Sequence, residues 1–268
     1  MNHLLREQAP ITETAWAQID DEARRQLTGA LAARQLVSFL GPFGWTHCAT
    51  TLGRTEPLAE APVEGLEARR RRVLAVVELR AAFSIARDEL EAAERGAPDI
   101  DLGDLGEAAR RMARAENVAV LHGWPAAGIV GVTEASPHPP VALSGDYARY
   151  PSEVARAVET LLDAGVQGPY GLALGPEEYT GVVETTEHGG ILVFDHLRQI
   201  LGGPIVWAPG VRGAVVLSQR GGDFRFESGQ DLSVGYASHD AHRVSLYLEE
   251  SFTFYVASPE AAVALRAP

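Results

Sequence analysis

Apolar residues recur at helical spacing near the start of the chain. Trp16, Ile19, Ala23, Leu27, Ala30 and Leu31 form one stripe, while Asp20, Asp21, Arg24 and Arg25 occupy the other side. Thr12 stands where an N-cap belongs, so the pattern predicts a helix from Thr12 to about residue 34. The turn-rich Gly41-Pro42-Phe43-Gly44-Trp45 ends regular structure. From about Thr50 to Arg72 the chain is polar, rich in Pro and Glu, and has little to bury. Such a stretch is either a mobile loop or an arm that folds against another subunit, and composition alone favours the loop. It closes on Arg69-Arg70-Arg71-Arg72 and passes into a β-branched, strand-like run over residues 73–79.

Two helices follow, over about residues 87–95 and 105–121. Gly96 stands as the C-cap of the first, and Leu105, Ala109, Met112 and Ala119 form the buried face of the second. Ser136-Pro137-His138-Pro139-Pro140 is linker-like and marks a subdomain boundary. Beyond it the pattern predicts a helix over 152–164 stopped by Gly165, a strand over 170–174, and helices over 176–185 and 192–201. These last two flank a loop, Glu187-His188-Gly189-Gly190. Strands over 205–208 and 214–218 are joined at Pro209-Gly210. After Gly221-Gly222 strands dominate: Phe224 and Phe226 alternate, then come residues 232–236 and a long run over 244–256. No internal repeat or coiled-coil heptad is visible.

Composition narrows the function. With 268 residues, 46% hydrophobic and 22% charged, the chain suits one large or two modest globular domains. The net charge of −13 repels phosphate backbones, which argues against nucleic acid as a main partner. All 23 basic residues are Arg, so a Schiff-base lysine, a P-loop lysine and a Ser–Lys dyad are excluded. Cys48 is the single cysteine, which rules out an internal disulfide or a multi-Cys zinc site. Residues 1–10 lack the apolar run of a signal peptide. The longest nearly apolar stretch, at 126–132, is short of the ~18 residues a membrane helix needs. The expectation is a soluble, cytoplasmic protein without a membrane partner.

No chemical constellation stands out. His47 and Cys48 are neighbours and cannot simply face each other as a dyad. His239 and His242 have the spacing of a metal pair on a helix, yet lie in what reads as a turn. The Arg69–Arg72 run suits ion pairs with a neighbouring chain better than nucleic acid. There is no GxSxG, phosphate-binding Gly loop or HExxH. The reading is a protein that is not an enzyme and has neither catalytic residues, nor a metal, nor a cofactor.

The motif order does carry a resemblance. Leu4-Leu5-Arg6, Ala9-Pro10, the Trp16/Ile19-Asp20 helix and Gly41-Pro42-Phe43-Gly44-Trp45 are followed by Glu94-Arg95-Gly96 and Gly168-Pro169-Tyr170. Arg220-Gly221-Gly222-Asp223-Phe224, Gly229-Gln230-Asp231-Leu232-Ser233-Val234-Gly235-Tyr236 and Glu250-Ser251-Phe252-Thr253-Phe254 complete the series. The chain thereby resembles the encapsulins, shell proteins of bacterial nanocompartments, also known as linocin-type bacteriocins and sometimes filed as peptidases.

The resemblance implies an α+β architecture, the tailed-phage major capsid fold of the Hong Kong phage type. Residues 1–49, 73–135 and 221–268 would form a peripheral domain, 136–220 an axial domain, and 50–72 an extended loop. That loop would pair with a neighbouring subunit through Arg54, Arg69, Arg70, Arg71 and Arg72, which reverses the preference for a mobile loop. Glu187, His188, Gly189 and Gly190 would border a five-fold pore for small ions or substrates.

The implied partners are the chain itself, as an icosahedral homo-oligomer of sixty copies, and a cargo enzyme such as a ferritin-like protein or a dye-decolorising peroxidase. A short peptide of the cargo would bind Leu27, Leu31, Arg34, Val37 and Ser38, with Val234 and Tyr236. Leu27 and Leu31 would take its aliphatic side chains and Arg34 would bond its backbone, unless both leucines are simply core. Ser38 stands where some relatives carry an acid, and Arg87 offers no ring to stack a flavin, so none is expected. The alternatives are a peptidase or bacteriocin-like activity, and a phage capsid protein proper.

Overall fold

A computed structural model describes residues 3–187 and 190–266. Helix α1 (Glu13–Thr28) begins where the pattern predicts, with the Thr12 hydroxyl accepting the Ala15 N–H. It stops six residues before the expected end. Gly29 follows it, and Asn117 takes up the backbone groups that the unwound segment frees. The Asn117 carboxamide oxygen accepts the Ala33 N–H, and its amide donates to the Ala30 carbonyl, both at 2.9 Å. The chain then makes one tight turn at Ala33–Gln35 and enters β1 (Ser38–Leu40).

Next comes the polar stretch, and it is not structureless. β2 (Ala49–Pro57) and β3 (Arg69–Ala75) pair antiparallel as an isolated two-stranded hairpin. β-Branched Thr50, Thr51 and Thr55 suit a strand, and Glu56 sits opposite Arg70 and pairs with it. No residue from Val37 to Arg80 is buried. Composition read that lack of burial correctly but missed the pairing, which comes from cross-strand contacts rather than from an apolar face.

The remaining elements build two packed layers. They are β4 (Val77–Ala86), α2 (Arg87–Glu94), α3 (Gly103–Leu121), α4 (Val132–Ala135), β5 (Val141–Ala142) and α5 (Tyr150–Asp163). Then follow β6 (Tyr170–Leu174), α6 (Pro176–Glu184), α7 (Val193–Leu201), β7 (Gly202–Trp207) and β8 (Ala214–Ser218). The chain closes with β9 (Phe224–Ser228), β10 (Ser233–His239), β11 (Arg243–Val256) and β12 (Ala262–Arg266).

The first sheet runs β1-β9-β11-β10, with β4 also paired to the long β11. Helices α1, α2 and α3 lay Ile19, Leu27, Leu90, Leu105 and Met112 on Phe83, Ile85, Leu246 and Leu248 of that sheet. The second sheet runs β5-β12-β8-β6-β7 and is covered by α5 and α7. Phe39, Phe226 and Phe252 stack in series, with ring centroids 5.5 and 4.9 Å apart, where β1, β9 and β11 lie side by side.

One strand departs from the expected grouping. Residues 221–268 were expected to stay together, yet β12 pairs with β8 and β5 in the second sheet. The cause is its composition. Ala262, Val263, Ala264 and Leu265 are all buried, and only a strand covered on both faces can place four successive apolar residues. The Pro-rich linker is bound to the same segment: Ser136 donates to the Ala262 carbonyl at 2.7 Å.

Candidate functional site

Between α1 and β10 lies a concavity of about 400 Å³. Its apolar wall comes from four segments of the chain. The i, i+4 spacing of Leu27 and Leu31 carries the α1 stripe past the helix end; Val234 and Leu248 project from paired positions of β10 and β11; and Leu4 crosses over them. The Leu4 carbonyl accepts the Tyr236 N–H at 2.9 Å, which fastens the start of the chain to the strand. Leu27 is buried and Leu31 only half-buried, so Leu31 presents the more accessible apolar surface.

Charges rim this wall. Arg6 bonds both carboxylate oxygens of Asp20, at 3.1 and 2.7 Å, and its guanidinium lies 3.9 Å from the Trp16 ring centre. Arg34 meets three acids: Glu116 at 2.7 Å, Asp231 at 2.7 Å and Glu250 at 3.0 Å. Burial works against its charge, but the carboxylates overcome that and hold its pKa above the ordinary arginine value. Burial also raises both glutamates. Arg34 opposes the rise in each, while Glu116 adds to it in Glu250.

Of the seven residues expected to hold a peptide, four are brought together here: Leu27, Leu31, Arg34 and Val234. Arg34 is already engaged by the chain's own acids, its Nε donating to Glu116, its Nη1 to Asp231 and its Nη2 to Glu250. Val37 and Ser38 line a separate, smaller pocket with Gly221 and Gly222, and the Ser38 hydroxyl accepts the Gly222 N–H at 3.0 Å. The turn after α1 redirects the chain and carries them away. Tyr236 is buried among the helices, with its hydroxyl 2.6 Å from His239 Nδ1. Sequence reasoning missed Leu4, Asp231, Leu232 and Leu248; the only signal for the middle two was their place in the Gly229–Tyr236 motif.

The other expected sites are more dispersed. Glu187 sits in a tight loop, its N–H bonded to the Ile191 carbonyl at 2.9 Å and its carboxylate 3.0 Å from His196 Nδ1. Gly190 is described beside it, whereas His188 and Gly189 lie outside the described residues. On the arm, Arg70 pairs with Glu56 and Arg69 reaches the Thr55 hydroxyl at 3.4 Å. The side chains of Arg54, Arg71 and Arg72 are exposed and make no hydrogen bond or ion pair among the described residues. His47 Nε2 faces Glu227 at 3.8 Å, and no hydrogen bond joins it to the exposed Cys48. Among the described residues no group of three His, Cys, Asp or Glu side chains could hold a metal, and no helix is long and apolar enough to cross a membrane.

Comparison with known proteins gives a consistent answer. Residues 1–253 match the family described as "Encapsulating protein for peroxidase". The type 1 encapsulin shell protein of Rhodospirillum rubrum is 50% identical over 271 residues, covering 99% of this chain and 97% of that one. That of Rhodococcus erythropolis is 42% identical over 265 residues, covering 99% and 100%. Among solved structures, a virus-like particle from Pyrococcus furiosus aligns with a TM-score of 0.62 at 16% identity, covering 92% of this chain and 98% of the other. A protein of Mycobacterium phage Bobi aligns at 0.59 and 12%, covering 90% and 91%. These two alignments show the fold, the α+β capsid fold of the Hong Kong phage type. The chain belongs to the encapsulin family, whose curated relatives are named shell proteins rather than enzymes.

Proposed function

We propose that copies of this chain close into an icosahedral shell, sixty in the simplest form, around a cargo enzyme. One observation carries the assembly: nothing from Val37 to Arg80 is buried on the chain's own surface. Ordering the β2–β3 hairpin within that stretch costs conformational entropy of about 1–2 kcal/mol per residue, and little burial within the chain offsets it. A neighbouring copy supplies the missing surface. The arm's exposed Arg54, Arg71 and Arg72 suit a neighbour whose net charge is −13.

Within the shell, the concavity receives a short peptide of the cargo. An apolar side chain fits against Leu27, Leu31 and Val234, and the Arg6–Asp20 and Arg34–Asp231 pairs frame it. The description of the matched family as encapsulating protein for peroxidase favours a peroxidase among the candidate cargoes, ahead of a ferritin-like protein. The 187–190 loop borders a pore at the five-fold axis, where Glu187 contributes a carboxylate and His188 an imidazole to each ring. The peptidase alternative is not favoured by the His47-Cys48 pair, because His47 Nε2 faces Glu227 at 3.8 Å.

The test is electron microscopy of the purified full chain, with absorbance at 260 and 280 nm. Uniform hollow spheres without nucleic acid are expected. Small oligomers would refute the shell, and particles filled with DNA would favour a phage capsid protein proper.

A further inference from the structure

Glu116 on α3 and Glu250 on β11 are 0% and 1% exposed, and both contact the Arg34 guanidinium. Each also keeps its Oε1 buried without a partner among the described residues. Both carboxylates converge through their Oε2 atoms on one guanidinium nitrogen, Arg34 Nη2, at 2.7 and 3.0 Å. Asp231, half-exposed, is the third acid on the same arginine.

Among the described residues, no further cation is paired with these carboxylates. The turn after α1 contributes Arg34, and the loop before β10 contributes Asp231. β1 and β9 contribute the rings of Phe39 and Phe226, 5.0 and 5.1 Å from the guanidinium carbon. β4 sets Leu79 opposite Glu250; its neighbours Glu78 and Arg80 fall on the other face of the strand, where Arg80 pairs with Glu249 and His3 joins the same carboxylate. If all were ionised, one cation would answer two interior carboxylates and a third at the rim. An ionised carboxylate only accepts hydrogen bonds, so two facing carboxylates cannot bond to each other without a proton between them.

We propose that Glu116 and Glu250 hold one proton between them in the folded protein, and that its loss as pH rises loosens the Arg34–Asp231 wall of the concavity. The reading stands on the interior of the fold and does not depend on peptide docking. Burial raises the proton affinity of both acids, and Glu116 raises that of Glu250 further. The sign follows by linkage. The folded state keeps a proton that the unfolded state releases above the ordinary glutamate value of about 4.3. Stability is therefore greatest at or below that value and falls as pH rises through the window up to the raised pKa. For one proton the unfolding constant grows by up to about tenfold per pH unit across it. The second ionisation draws Arg34 toward the buried pair and away from Asp231, which releases residues 231–234.

The direct test is infrared spectroscopy of the intact wild-type protein at pH 7. A carbonyl band from a buried protonated carboxylic acid is expected, and its absence would overturn the proposal. Glu250→Gln places a neutral isostere at the site, and Glu116→Gln repeats the test from the other partner. Each should remove the band and flatten the pH dependence of unfolding by about one proton. In the wild type, backbone hydrogen exchange at 231–234, corrected for its intrinsic pH dependence, should accelerate above the transition. A band that survives both substitutions, an unchanged slope in both, or exchange that does not accelerate there refutes it.

Discussion

Leu31 is the residue on which peptide capture is most open to test. Its neighbour Leu27 is buried between α1 and the first sheet, so replacing Leu27 confounds folding with docking, whereas Leu31 is half-buried and faces the concavity. Leu31→Asp is expected to leave shells intact and to empty them of co-expressed cargo. Losing an apolar contact worth about 1.5–3 kcal/mol weakens docking roughly 10- to 100-fold. Gel analysis of purified particles reads the result, and unaltered loading would place the peptide elsewhere. Arg34 shows why a residue's role is hard to read from sequence. Its place after an apolar stripe suggested a free donor, but its partners Glu116 and Glu250 are 82 and 216 positions away. Gly41 is constrained just as non-locally. At φ +108° a Cβ there would lie 2.5 Å from the Ser228 carbonyl oxygen, so only glycine fits beside β9.

Among elements, the β2–β3 hairpin is separable from the rest. Replacing residues 51–73 by a two-residue Gly-containing turn removes no buried side chain. The remaining fold should unfold within about 1 kcal/mol of the parent, because exposed residues contribute little to stability. Sedimentation should then show small species in place of shells, and full-size particles would overturn the role given to the arm. Elements with a strong local period were legible. β6 spans the five residues expected of it, and β11 begins one residue before its expected run. α2 and α3 fall within two residues of their expected bounds. Features set by distant partners were not legible: the early end of α1 depends on Asn117, and the position of β12 depends on β8 and β5. The concavity was half legible for the same reason. The i, i+4 spacing points to Leu27 and Leu31, while Leu248 reaches it through pairing with β10 and Leu4 through its carbonyl's bond to the Tyr236 N–H.

For the whole molecule, charge sets the conditions of assembly. Every copy brings −13, and closing a shell draws like charges together. Screening acts over about 10 Å at 0.1 M salt and about 30 Å at 0.01 M. Light scattering should therefore show that the protein concentration needed for shells rises as salt falls from 0.1 to 0.01 M. A concentration independent of salt would mean that the contacts between copies are neutral or well paired. The unburied span from Val37 to Arg80 carries one more implication. Proteases grip exposed loop tips, and a copy without neighbours offers them residues 58–68 at the tip of the β2–β3 hairpin. Enclosed copies are shielded, so digestion edits the population: orphans are cleared, finished containers persist, and longevity becomes the mark of having been built in.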